Sequence, residues 1–256
     1  MIFRQTAGVD SDEVLNASAL TETVHIDIGQ CKQLPLSSNR RDTWVKPLLK
    51  TNRLAVSQLL VTQPIDLPHT HNDKHLIYIV VNGHAKIEES ANSYHLKKGA
   101  LIYLPSNGRT SIKTVSPEVE FLVLEILESS ASAEPLRNYG TEVFSQVERS
   151  ETKGRMFIVQ PDDPPAYEPA NHSDTVNRCL FINDDVEVIR GKINTGGGAQ
   201  KHAHEDCEQL TYVFEPAPQL LFYTPQGVAH GGDTYETALD LLVIYSPPYR
   251  ESLNYE

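Results

Sequence analysis

Gly196-Gly197-Gly198-Ala199-Gln200-Lys201-His202-Ala203-His204-Glu205-Asp206-Cys207-Glu208 is the stretch on which the fold of this chain turns, and Pro225-Gln226-Gly227-Val228-Ala229-His230 completes it downstream. His202 and His204 are two apart, so on an extended strand both side chains leave the same face. On the same count Glu208 keeps that face and opens the apolar run Leu210 to Phe214. Pro225-x-Gly227 predicts a turn that brings His230 in from another strand. Three neutral imidazoles and one carboxylate suit a divalent transition ion; iron, manganese, nickel, cobalt and zinc all accept such donors. His202, His204, Glu208 and His230 are therefore the candidate ligands of one divalent metal ion.

The same residues carry a family resemblance. The cupin family is marked by G(x5)HxH(x3-4)E(x6)G and, after a variable stretch, G(x5)PxG(x2)H(x3)N. Gly196, His202, His204 and Glu208 match the first motif, with Glu215 in place of its last glycine. Pro225, Gly227 and His230 match the second, with Gln219 and Thr234 replacing its first and last residues. The first half resembles a poorer copy: His69-Thr70-His71, His75, Gly83, Gly99 and Pro105. The chain thus resembles a bicupin over residues 40–127 and 175–248, which implies an all-β chain of two tandem jelly-roll barrels. The corresponding domains are 1–130, with a degenerate site at His69, His71 and His75, and 131–256, with the intact one. Thr110 stands at the fourth ligand position of the first copy, and threonine is a poor ligand for a borderline metal.

The strand pattern agrees with that architecture. The two HxH pairs are each preceded by a β-rich segment, Arg53 to Thr62 and Val186 to Asn194. Each half closes on another, Val119 to Leu127 and Ala238 to Tyr245. Short β-branched and aromatic runs bounded by Gly, Pro and Asn signal a sandwich or barrel. Glu128 to Pro135 is small and polar, a linker start, and Thr141 to Lys153 predicts a short helix capped by Thr141. A second brief helix is expected at Ser11-Asp12-Glu13.

The copies differ in length. The first has room for a hairpin, Ala85 to Glu89 against Tyr94 to Lys97, while Glu215 to Gln219 in the second runs almost directly into Leu220 to Thr224. A barrel short of a hairpin exposes a sheet edge, which needs a cover. Two covers are open: a homodimer, or the alternating run Glu22-Thr23-Val24-His25-Ile26-Asp27-Ile28 added as a strand, the dimer being the first expectation.

Composition narrows the partners. A net charge of −12, from 22 basic and 34 acidic residues, argues against nucleic acid or an anionic membrane surface. No run is long and apolar enough to cross a bilayer, and Met1-Ile2-Phe3-Arg4-Gln5-Thr6 lacks the apolar core of a secretory signal. Cys31, Cys179 and Cys207 are odd in number and far apart, as for reduced thiols in a cytoplasm. Cys207 reads as a small buried side chain facing away from the histidines. Tyr212 and Tyr223 are candidates to line the pocket, and Arg190 and Lys192 have a parity that would carry them toward an anionic substrate. No phosphate loop, nucleophile elbow or dinucleotide fingerprint is present. The resemblance implies either a metal-dependent enzyme of dioxygenase or isomerase/cyclase type on a small oxygenated or anionic molecule, or a non-catalytic small-molecule-binding protein.

Overall fold

The computed structural model describes residues 14–37, 40–63, 65–67, 74–89, 92–106, 110–127, 141–143, 156–216 and 219–254. Three sheets stack in three layers. The middle one has nine strands, among them Arg40–Lys50, Leu54–Val61, Val119–Ile126, His75–Asn82, Leu101–Leu104 and Met156–Val159 in spatial order. His75–Asn82, Leu101–Leu104 and Met156–Val159 read as near-continuous apolar runs because both faces are covered. Leu122, Leu124 and Ile126 point into one core, and Val119 and Phe121 into another. The same alternation splits Ile77 and Ile79 from Tyr78 and Val80, and Leu101 and Tyr103 from Ile102 and Leu104.

One core is closed by a four-stranded sheet, ordered Ile65–Leu67, Thr110–Thr114, Ala85–Glu89, Asn92–Leu96. The expected hairpin is there, tighter than its sequence suggests: Glu89 pairs directly with Asn92, so Asn92 and Ser93 are strand residues. The other core is closed by a six-stranded sheet, His172–Ile182, Glu187–Ala199, Leu239–Ser246, Glu208–Glu215, Leu220–Thr224 and Val24–Asp27. Among the described residues, the apolar cluster on the far side of this sheet is a small one of Ile189, Cys207, Tyr245 and Val243. Where the first half has a second sheet, the described residues there offer isolated bridges, Gly198 with Thr234 and His202 with His230.

Two expectations are corrected. The exposed edge at Leu220–Thr224 is covered within the chain: Val24–Asp27 pairs along it from Tyr223↔Val24 to Leu220↔Asp27, so the second of the two covers is the one seen. Val24 and Ile26 are buried by it, which is why the run alternates. Thr141 opens a strand, Thr141–Val143, which pairs with Met156–Val159 on the middle sheet. A helix there would leave that strand's backbone unpaired. Residues 144–155, the predicted linker at 128–135 and the predicted helix at Ser11 lie outside the described residues. The N-terminal helical content seen is two 3-10 turns, Ala17–Ala19 and Ile28–Gln30. The sheets therefore do not divide at residue 130: a strand from each half pairs with the sheet of the other.

Candidate metal centre

The histidines are assembled by backbone contacts between two irregular segments. The His202 N–H donates to the His230 carbonyl at 2.9 Å, and the His230 N–H returns a bond to His202 at 2.8 Å. The Gly227 N–H donates to the His204 carbonyl at 2.8 Å, which docks the Pro225-Gln226-Gly227 turn on the HxH segment. Gly227 has φ +73°, a left-handed conformation that favours glycine. At Gly198 a Cβ would stand 2.1 Å from the Asp233 carbonyl oxygen, so only glycine lets the two segments pass this closely.

The result is a cluster in which one ring nitrogen each of His202, His204 and His230 lies within 4.8 Å of the others. Ring centroids are 4.4 Å apart for His202 and His230, 4.9 Å for His202 and His204, and 5.0 Å for His204 and His230. His202 donates its Nδ1–H to the Gln200 carbonyl at 2.7 Å, and His230 donates its own to Val228 at 3.1 Å. Each bond fixes the tautomer and leaves a lone pair on Nε2, the arrangement that orients metal-bound imidazoles. Nε2 of His230 and both ring nitrogens of His204 are buried without a hydrogen-bond partner. Burial first, then the neighbouring imidazoles of His230 and His202, hold His204 down to about 4. Burial likewise lowers His230. Burial thus favours the neutral, ligand-competent form of His204 and His230.

Glu208 is not brought to them. Thr51 donates to its Oε1 at 2.7 Å and the Tyr223 hydroxyl to its Oε2 at 3.0 Å, on the face turned toward the middle sheet. Counting by twos from His204 assumes an unbroken strand, but the chain bends at Glu205-Asp206 and the strand starts only at Glu208. Parity is reset there, and Glu208 shares a face with the core residues Leu210, Tyr212 and Phe214. The residue turned toward the histidines is Gln209. Its Nε2 donates to Thr211 at 3.0 Å, and its Oε1 is buried with no partner. The side chain stands near enough to His204 to favour the protonated ring partly, against the larger effect of burial. The motif's longer spacing, HxH(x4), would have pointed to this residue.

Four other expected residues stand elsewhere. Tyr212 and Tyr223 are buried between the sheets, Tyr212 edge-on to Phe214 at 5.1 Å. Arg190 shares the parity of Val188 and therefore the core face; its guanidinium sits 3.7 Å over the Phe214 ring and pairs with Asp240. Lys192 is exposed. In the first half, His69 and His71 lie outside the described residues. His75 opens its strand, and its Nδ1 accepts from the Tyr103 hydroxyl at 2.7 Å and from the Ser106 N–H at 3.3 Å. Cys207 is buried, and burial with nearby carboxylates raises its thiol to about 12.

Three aromatic neighbours escaped sequence reasoning. His172 packs edge-on to His202 at 5.8 Å, with Nδ1–H donated to the Ala170 carbonyl at 2.7 Å. Tyr245 and Tyr249 stand 5.0 and 4.4 Å from the His204 ring. Nothing local in the sequence marks them; only the strand pairing of His172 with Ala199 and the return of the C-terminal segment place them here.

No family model matches the chain, and no curated protein matches its sequence. Solved structures do match. Protein Ylba of E. coli, of the DUF861 family model, aligns with TM-score 0.64 at 7% identity over 93% of this chain and 97% of that one. Bacillus subtilis oxalate decarboxylase, as a deletion mutant, aligns with TM-score 0.60 at 12% identity over 90% of this chain and 79% of that one. AerE from Microcystis aeruginosa aligns with TM-score 0.57 at 10% identity over 84% and 96%. The fold is the all-β cupin fold.

Proposed function

We propose that the chain is a two-barrel cupin whose second half holds one divalent transition metal ion on His202, His204 and His230, with Gln209 Oε1 as fourth donor. We further propose that it is a metal-dependent enzyme acting on a small oxygenated molecule. One observation carries the reading: three imidazoles converge to within 4.8 Å, and ring nitrogens of His204 and His230 are buried without a hydrogen-bond partner. An unsatisfied buried polar atom is costly, and three together are hard to account for unless something binds there. Neutral nitrogen and amide oxygen donors suit iron, manganese, nickel, cobalt or zinc. When bound, such an ion supplies Lewis acidity toward a substrate oxygen.

The chain's own part is preorganisation. The Gln200 and Val228 carbonyls orient the His202 and His230 rings, and burial disfavours protonation of His204 and His230. Tyr245 and Tyr249 wall one side of His204, and His172 stands beside His202. The similarity to oxalate decarboxylase supports a small-molecule substrate. In the first half His75 is engaged at Nδ1 by Tyr103 and Ser106, which supports placing the ion in the second half.

Elemental analysis of the purified chain and its variants tests the assignment. About one divalent ion per chain is expected, lost in His202→Ala and His230→Ala and kept in His75→Ala and Glu208→Gln. Loss in His75→Ala with retention in His202→Ala would overturn it.

A further inference from the structure

Two of the three imidazoles are oriented by the backbone, and the third is not. His202 and His230 each give their Nδ1–H to the carbonyl two residues back, but both ring nitrogens of His204 are buried without a hydrogen-bond partner. The angle of the His204 ring is therefore set by what packs on it. Tyr249 comes nearest among the described rings, with centroids 4.4 Å apart and planes at 67°, and Tyr245 stands edge-on at 5.0 Å.

Tyr245 is fixed by its strand, where it pairs with Glu187. Tyr249 lies beyond the end of that strand, on a segment that finishes in the 3-10 turn Glu251–Asn254. What holds this segment is a carboxylate. Glu187 is fully buried, and a buried carboxylate has to be met by donors. Each of its oxygens accepts from the segment, Oε2 from the Arg250 N–H at 2.7 Å and Oε1 from the Ser252 hydroxyl. Arg250 has φ +64°, a left-handed conformation that a non-glycine residue keeps where its surroundings impose it. Two outer ties flank the buried one: the Arg250 guanidinium meets Asp184 at 2.9 Å, and Glu251 accepts from the Ala170 N–H at 3.0 Å.

We infer that residues 247–254 belong to the metal centre: Tyr249 is the positioning residue that holds His204 at its ligating angle, and Glu187 is the lock on Tyr249. This rests on the metal centre proposed above. Partners outside the ligand set commonly orient metal-bound imidazoles by hydrogen bonds. Here the partner of one imidazole is an aromatic ring on a segment that a buried carboxylate ties down.

The test measures the cobalt(II) affinity of the full-length chain by competition with a chromogenic chelator, with the cobalt absorption bands recorded on each saturated sample. Tyr249→Ala should weaken cobalt about tenfold, the lower end of what losing an outer orienting partner costs a metal site. It should also alter the bands as the His204 ring turns. Tyr249→Phe should restore both, since the His204 nitrogens take no bond from the hydroxyl. Glu187→Gln should match Tyr249→Ala, and the two changes together should weaken cobalt no more than either alone, because they act in series. Independent damage to packing would instead add. Unchanged affinity in Tyr249→Ala, or a phenylalanine variant as weak as the alanine one, would overturn the role of the ring. Additive losses would overturn that of Glu187. If Glu187→Gln does not fold, Asp184→Ala with Glu251→Ala, which cuts both outer ties, takes its place in the cycle. Its loss should likewise vanish once Tyr249 is alanine, and no loss at all would overturn the tethering. A parent chain that takes up no cobalt sinks the metal centre itself, whereas tight binding indifferent to Tyr249 sinks only this inference.

Discussion

At the scale of single residues, the centre is built by removing protons and hydrogen-bond partners from imidazoles. His204 and His230 lie below the ordinary histidine value, mainly through burial. In metal-free protein the unfolded chain therefore binds more protons than the folded one as pH falls below about 6.5. Stability is fully present above that value and is lost as pH drops toward about 4, where His204 titrates in the folded state. Urea unfolding of chelator-treated protein between about pH 7 and pH 4 should show this slope, and His204→Ala should flatten it. A slope unchanged in that variant would contradict the burial of its ring. The three histidines were legible because their spacing is set by motif and turn. Glu208 was misplaced because two bend residues carry no visible signal in the sequence, yet decide which of two adjacent side chains faces inward.

At the scale of elements, the strand Val24–Asp27 stands out. It crosses from the N-terminus to cap the edge at Leu220–Thr224, and Ile26 enters the core between the sheets. Ile26→Asp would place a charge in that core and should destabilise the chain by about 3–5 kcal/mol. The neighbouring His25→Ala, on the half-buried face, should cost about 1 kcal/mol or less. Paired urea midpoints measure both, and equal small effects would mean the strand is not part of the cooperative fold. Alternation made this strand and the Ala85–Glu89 hairpin readable, and the shortened second copy was visible as a missing stretch of chain. The strand at Thr141 was not readable: three residues are too few to show a period, and its polar start resembles a helix cap. Which partner a strand chooses is a long-range fact, so the crossing of residue 130 in both directions had no local trace.

At the scale of the whole molecule, the three layers explain why the histidines are where they are. The middle sheet is covered on both faces, which leaves it nothing but packing to do. Among the described residues the six-stranded sheet is covered by another sheet on one face, and the histidine cluster stands beyond the other. Among the described residues no second sheet closes that face, and the C-terminal segment tied to Glu187 and Asp184 lies against part of it. The excess of acid over base keeps the surface negative, so the positive charge of the molecule's working part would be that of its bound ion. Anomalous diffraction at the absorption edge of the bound metal, on crystals of the full chain, locates that ion directly. One strong peak should lie among Nε2 of His202 and His230, a ring nitrogen of His204 and Oε1 of Gln209, with Glu208 still bonded to Thr51 and Tyr223. A peak beside His75, or one ligated by Glu208, would contradict the centre described above.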